Sequence, residues 1–325
     1  MKTLITGGLG YIGSHIANKL KKNVIIIDNL SNSSLNYKKK LPGAIVYIND
    51  INSKILKKIF LNHKITNVIH MAGLKSVDQS TNEPLKYYIN NVGSTLSLLN
   101  CMDEFGISNL IFSSSATVYG LNNKSPLKEN CNLNSTNPYA SSKIIIEQLI
   151  SDYVNSNKKF KAISLRYFNP IGANLKKQLS DQPTGKPQNL MPMIIESALK
   201  NKTLQIFGND YPTKDGTCIR DYIHVEDLAD AHILALKKIK KVKDHLILNI
   251  GLGKGISVYE LIKIFEKANN VKLKYEYVSK RLGDVPISYA DNSSAKKFLE
   301  WMPKFNYQKM CIDSWQIALS KLNRN

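Results

Sequence analysis

No stretch of this chain approaches the ~18 uninterrupted apolar residues that a membrane span requires, and its start, MKTLITGGLG, has no apolar core followed by a cleavage site. No membrane span or secretory leader is therefore expected, and the cytoplasm is the default location. Cysteine is scarce: Cys101, Cys131, Cys218 and Cys311 lie far apart, with no CxxC and no nearby histidine pattern. That spacing excludes a disulfide framework and the usual zinc sites, so no metal is expected. Acidic charge is also short, with 25 Asp and Glu against 45 Lys and Arg, a formal net charge of +20. Such a balance raises the question of nucleic acid. The lysines, however, come in short groups (Lys38 to Lys40, Lys237 to Lys243) within a chain rich in Lys, Asn and Ile. They alternate with no aromatic stripe of the kind on which bases stack. No nucleic-acid partner is expected; the charge reads as solvated faces that attract anionic small molecules.

What the chain does have is alternation. Its 325 residues, 43% hydrophobic and 22% charged, suffice for two packed domains. Short apolar runs at Thr3 to Thr6, Val24 to Ile27, Ala44 to Ile48, Asn67 to Ala72, Asn109 to Ser115 and Lys161 to Phe168 are separated by helical patterns. Near-continuous apolar strands of this kind are buried on both faces, which predicts a Rossmann-type, doubly wound parallel α/β sheet. After Asn169 the pattern loosens into a long polar loop through residue 189, and loops of that length tend to be functional. Helical patterns return at Leu190 to Leu199, Val225 to Ile239, Val258 to Ala268 and Tyr307 to Leu322. We expect a first domain over 1–168, with segments of about 218–252 returning to it. A smaller, interleaved α/β substrate domain is expected over 169–325.

The stretch TLITGGLGYIGSH sets Gly7, Gly10 and Gly13 three residues apart between a strand and a helix. Glycines there permit a tight turn, bring backbone close to a pyrophosphate and let helix pack on strand. The helix start then offers free N–H groups to the phosphates. Asp28 closes the second strand, where a carboxylate binds both adenosine ribose hydroxyls and repels a 2′-phosphate. No arginine follows within DNLSNSS, so NAD is favoured over NADP. Asp50 and Ile51, after the third strand, suit an adenine contact.

In NPYASSKIIIEQ, Tyr139 and Lys143 stand one helical turn apart and share a face. An ammonium beside a phenol favours the phenolate, a strong base. The plain alternative is a helix start whose lysine stem covers apolar neighbours.

FSSSATVYG, with NPYASSK some two dozen residues later, makes a family visible. The chain resembles the extended short-chain dehydrogenase/reductase superfamily and, within it, the 4-epimerases of UDP-glucose and UDP-galactose. The likeness runs from Lys2 to about Trp315, through TGGLGYIGSH, DNLSNS, MAGLKSV, LRYFNPIGA, IFGNDYPTKDGT and RDYIHVEDLADAH. It implies a catalytic group of Ser115, Tyr139 and Lys143. It implies NAD surrounded by Gly7, Gly10, Tyr11, Ile12, Gly13, Asp28, Asn29, Leu30, Ser31, Asn32, Ser33, Asp50 and Ile51, then by Met71, Ala72, Gly73, Leu74, Lys75, Asn91 and Phe168. The UDP-sugar would be held by Asn169, Asn189, Leu190, Phe207, Arg220, Arg281 and Asp284. A homodimer through helices at Pro84 to Cys101 and Ser141 to Tyr153 is also implied.

The implied chemistry is oxidation of the sugar at C4 to a 4-keto form, rotation, and reduction from the opposite face, with Tyr139 moving the hydroxyl proton. A free phenol titrates near pH 10, so a base at pH 7 needs a fall of about three units, roughly 4 kcal/mol. A positive charge at about 4 Å supplies on the order of 4 kcal/mol at an effective dielectric of about 20. Lys143 and the oxidised nicotinamide are expected to supply it together. Sister dehydratases and decarboxylases carry acids just after the catalytic hydroxyl, where this chain has Ala116 and Thr117, so elimination is disfavoured. The scarce arginines Arg220 and Arg281 suit a diphosphate, and the histidines, including His224 and His232, read as packing residues. Ser288 stands where hexose-restricted members have a bulky Tyr, which leaves room for an N-acetyl group. Ala140 and Ser141 depart from the family motif and are expected to face away from the phenol. Rival readings are a UDP-pentose 4-epimerase, a non-catalytic NAD-binding protein on the same fold and, from charge alone, a nucleic-acid binder.

Overall fold

The computed structural model describes residues 2–322 apart from Pro183, Thr184, Lys186 and Leu282. The loop reading at those first three positions, and the ends of the expected domains at 1 and 323–325, lie outside the described residues. Seven strands form one parallel sheet: β1 (Lys2–Thr6), β2 (Val24–Asp28), β3 (Ala44–Ile48), β4 (Ile65–His70), β5 (Asn109–Ser115), β6 (Lys161–Tyr167) and β7 (His245–Ile250). Their order is β7-β6-β5-β4-β1-β2-β3.

The β-branched runs form strands because both faces are covered. Leu4, Ile25, Ile27, Val68, Leu110 and Phe112 pack on one side with Leu98, Ile146 and Ile150. Their chain neighbours Ile5, Ile26, Ile69 and Ile111 pack on the other with Ile16, Leu228 and Trp301. The period of two thus feeds two cores at once, each fully buried side chain contributing about 1.5–3 kcal/mol. A third core gathers Met191, Ile194, Leu204, Ile206, Leu261, Phe265 and Trp315 from residues beyond the first six strands. The chain crosses back between these cores. Helix Val225–Lys238 buries Leu228, Ala231 and Ala235 against the sheet, and β7 pairs with β6 from Ala162 to Tyr167.

Two expected segments differ in detail. The fourth strand runs over Ile65–His70 and stops short of Ala72, because the Met71 N–H is shared between the Thr6 carbonyl and Oγ1 and the Ala72 N–H turns onto Thr6 Oγ1. The helix expected from Pro84 is three pieces in succession: an α-turn at Pro84–Tyr87, a wide π segment at Tyr88–Gly93 and an α-helix at Ser94–Glu104. The Ser94 and Thr95 hydroxyls donate to the Asn91 carbonyl at the end of the wide segment. His224 and His232 are fully buried. His224 accepts the Glu226 N–H at a helix start, while His232 bonds Tyr167 and burial pushes its pKa down to about 4.

Candidate active site

Loops at the C-terminal ends of six strands converge where the strand order reverses, between β1 and β4, and enclose a cavity of about 360 Å³. Gly7 adopts φ +67, and a methyl group there would lie 2.9 Å from the Ala72 backbone. The turn after β1 and the loop after β4 therefore meet backbone to backbone, which only glycine permits. A methyl on Gly13 would come within 2.3 Å of the Gly7 carbonyl, so helix Tyr11–Leu20 is seated directly on the turn. That helix starts with no side-chain cap, which leaves its first N–H groups for a phosphate. Gly7, Gly10, Tyr11, Ile12 and Gly13 all line the cavity.

Asp28 ends β2. Its carboxylate accepts the Leu9 and Leu30 N–H groups, both at 2.9 Å, and the Ser33 hydroxyl at 2.6 Å. It faces the cavity with Asn29, Ser31, Asn32 and Ser33, while Leu30, at φ +62, turns the chain and does not line it. Asp50 and Ile51 close this end, and Asn29 donates to Asp50 at 2.9 Å. Free helix N–H donors, a glycine turn and a cavity-facing carboxylate acceptor are the groups that a dinucleotide needs.

Met71, Ala72, Gly73, Leu74 and Lys75 form the wall beyond β4. Asn91 lies behind that wall. Its amide accepts the Leu74 N–H at 2.8 Å and donates to the Leu74 carbonyl and Ser142 Oγ, both at 3.1 Å. Its neighbour Asn90 reaches the cavity instead.

Ser115 ends β5, and Tyr139 and Lys143 come from the first turns of helix Pro138–Ser156, which Asn137 caps through the Ala140 N–H. Pro at the first helical position and Asn before it fix this start locally. Ser115 Oγ accepts from the Thr117 hydroxyl at 3.0 Å and the Thr117 N–H at 3.3 Å, so its own proton is free to point at Tyr139 or a substrate oxygen. Lys143 Nζ donates to the Ser113 carbonyl at 2.7 Å, 5.8 Å from the centre of the Tyr139 ring. Burial pushes Lys143 down to about 8, against the pull of Glu147. Burial raises Tyr139 above the usual phenol range, and the Ser115 hydrogen bond opposes it. The expected lowering of the phenol by Lys143 is thus not a property of these side chains by themselves: the ammonium is engaged on the Ser113 carbonyl and is itself desolvated. Among the departures from the motif, Ala140 is buried and the Ser141 hydroxyl meets Ser135 at 2.7 Å.

Phe168, Asn169 and Asn189 also line the cavity. Leu190, Phe207, Arg220, Arg281, Asp284 and Ser288 do not. Arg220 and Ser288 face each other across a parallel pair of two-residue strands. The Arg220 guanidinium meets Asp284 at 3.1 Å and the Val285 carbonyl at 2.5 Å. The Arg281 guanidinium lies 3.9 Å over the Phe207 ring. Sequence reasoning missed Thr117 as a partner of Ser115, the Ser113 carbonyl and Asp221, whose carbonyl accepts the Asn169 side chain at 2.9 Å. It also missed Glu147, four residues beyond Lys143, where the spacing of Tyr139 and Lys143 repeated once more would have pointed to it.

A doubly wound sheet with a dinucleotide turn and a Ser–Tyr–Lys group at one edge defines an enzyme that moves a proton at a hydroxyl beside a bound nucleotide. The chain belongs to the NAD dependent epimerase/dehydratase family, whose model matches residues 3–251. It is 41% identical over 333 residues to a UDP-glucose 4-epimerase of Bacillus subtilis, covering 99% of this chain and 98% of that one. A Stenotrophomonas maltophila UDP-glucose-4-epimerase structure, with bound NAD and formylated UDP-arabinopyranose, superposes with a TM-score of 0.96 at 37% identity over 100% of both chains. A Bifidobacterium longum UDP-glucose 4-epimerase in complex with NAD+ and UDP gives 0.94 at 37% identity over 99% of each.

Proposed function

We propose that this protein interconverts UDP-glucose and UDP-galactose by epimerisation at C4, with NAD bound along the glycine turn. The observation that carries the reading is the placement of Ser115, Tyr139 and Lys143 in the same cavity as that turn. Full-length likeness to UDP-glucose 4-epimerases supports it. NAD, when bound, would supply a cationic ring and a reversible hydride acceptor for sugar C4. Tyr139 takes the proton of the 4-hydroxyl and later returns it. Ser115, its oxygen already accepting from Thr117, donates to the reacting oxygen. Lys143, anchored on the Ser113 carbonyl, keeps a positive charge at the base of the cleft. Neither Ala116 nor Thr117 offers an acid, so no C5 or C6 proton is removed.

Arg220 and Arg281 hold the diphosphate end, with Phe207 and Asp284 orienting them. Ser288 is half-buried opposite Arg220 and the Tyr289 ring packs against Gly255, which favours a pocket that also takes an N-acetyl group. One assay with UDP-glucose, UDP-galactose and their N-acetyl forms tests both statements. No turnover of UDP-galactose overturns the first, and turnover without N-acetyl conversion overturns the second.

Residues 1–168, with about 218–252, form the NAD module in this reading and 169–325 the UDP-sugar module; pairing of β7 with β6 supports the return. Leu85, Ile89, Leu96 and Ile145 are exposed on the Pro84–Glu104 and Pro138–Ser156 helical segments, which supports a homodimer through them. Among the described residues no helix is long and apolar enough to cross a membrane. Unpaired cysteines support a cytoplasmic location.

A further inference from the structure

Three consecutive residues at the end of β5 each meet a side chain of the catalytic helix, and those helix residues recur every four. Tyr139 bonds Ser115, Lys143 bonds the Ser113 carbonyl, and Glu147 accepts the Ser114 hydroxyl at 2.5 Å. The first two rungs bear the reacting groups. The third is buried and does not reach the cavity. Glu147 is gripped by Arg166 of β6, through Nε at 2.9 Å and Nη2 at 2.6 Å. Arg166 reaches on to the Tyr119 hydroxyl at 3.0 Å, which donates to Asn249 of β7 at 2.5 Å. A chain of buried polar groups therefore runs from the catalytic helix across β5, β6 and β7. Replacing a buried ion pair with apolar side chains is often neutral or stabilising, so stability alone is a weak reason for this one.

We propose that Glu147 is a positioning residue for the reaction: held by Arg166 and Ser114, it sets β5 in register with the catalytic helix and fixes a carboxylate one helical turn beyond the Lys143 ammonium, without touching substrate or cofactor. Lys143 is 4% exposed and rests 4.8 Å over the Phe112 ring, so it has little water to stabilise its charge. The titratable and charged groups around it and Glu147 are Tyr139 and Tyr87, His70 of β4, Arg166 and Tyr167 of β6, Tyr119 and Glu129 after β5, and His245 of β7. His70 and His245 are neutral, burial holding them down to about 3 and about 4. Burial raises the phenols Tyr87, Tyr119, Tyr139 and Tyr167. Glu129 is turned to the Asn249 N–H. Among the neighbours, Glu147 is the group that raises Lys143.

The proposal rests on the epimerase reading for its kinetic arm only. In Glu147→Gln, the Lys143 titration moves down by about one unit, read by pH-dependent acetic anhydride labelling and mass spectrometry. The alkaline limb of kcat moves with it, kcat at pH 8 falls about fivefold and KM stays within about twofold. Glu147→Asp, which keeps the charge, restores the titration. An unmoved Lys143 titration with only a lower Tm overturns the proposal. Should Glu147→Gln not fold, Ser114→Ala decides: a kcat loss of about fivefold at unchanged KM supports the register role, and parental kcat overturns it. If the parent turns over none of the four sugars, the epimerase reading fails while the labelling result still stands.

Discussion

The glycine-turn side of the cleft is lined by residues that step off strands buried on both faces, whereas Arg220 and Ser288, the residues proposed for the sugar side, stand outside the cavity lining on strands of two residues. Leu4, Ile5, Ile25 and Ile26 have no measurable exposure, while Ile219, Arg220, Ile287 and Ser288 are all only partly buried. The first side is held by packing, so its backbone is already in place for a phosphate and a ribose. The second is held by a few polar ties. One is Arg220 to Asp284 and Val285; another is Asp221, whose carboxylate accepts the Leu252, Gly253 and Ala290 N–H groups. In the proposed reading, chemistry that every substrate shares sits on the packed side, and discrimination among sugars falls to the side that is cheapest to alter.

The sharpest break in that comparison is chemical. Tyr139→Phe should lower kcat by about a thousandfold or more while the purified protein still carries NAD, as released nucleotide would show. Wild-type turnover would remove Tyr139 as the base. Gly13→Ala attacks the frame instead: its methyl must push the Gly7 carbonyl, a backbone atom with nowhere to go. We expect about 1–3 kcal/mol of lost stability and a preparation depleted of NAD. Retention of both would mean the helix is not seated on the turn as described.

Arg220→Ala works on the other side. It should raise KM roughly ten- to a hundredfold with kcat little changed, if the guanidinium holds, as proposed, a diphosphate that does not react. A fall in kcat at constant KM would place Arg220 in the chemistry. The smallest effect is a pair of pH slopes of opposite sign. Burial raises Asp221 from 3.8 to about 7, so the folded chain holds a proton that the unfolded chain has released. Its contribution is largest below pH 3.8 and is lost as pH rises towards 7. Glu226 loses charged-state stability to burial, but His15 and Lys19 outweigh that and hold it down to about 2 from 4.5. Its contribution is present above pH 4.5 and is lost as pH falls through 2. Thermal melts of Asp221→Asn should lose the slope between pH 4 and 7, and those of Glu226→Gln the acid slope, each by a few degrees; unchanged slopes would refute the assignments.

How much was readable depended on whether the physical cause was local. Strands β2, β3, β5 and β6 were legible to within a residue because a continuous apolar run has no other use when both faces are covered. The Tyr11–Leu20 helix was legible from its glycines and apolar period. The end of β4 was not, since it depends on Thr6 Oγ1, which is 65 positions away from Met71 in sequence. Asn91 was placed at the cofactor, but the wide turn at Tyr88–Gly93 points it behind the wall. No single position announces such a turn.

The sequence by itself determined the fold class, the dinucleotide turn, the carboxylate at Asp28 and the pairing of Tyr139 with Lys143, because each rests on neighbours within one or two turns of chain. Tertiary structure alone decided the strand order. It also decided the electrostatic state of the base. Tyr139 and Lys143 share a helix face as their spacing dictates, yet burial moves both away from the charged forms, and a carbonyl from another element claims the ammonium. Proximity is written in the spacing; desolvation depends on everything packed around it.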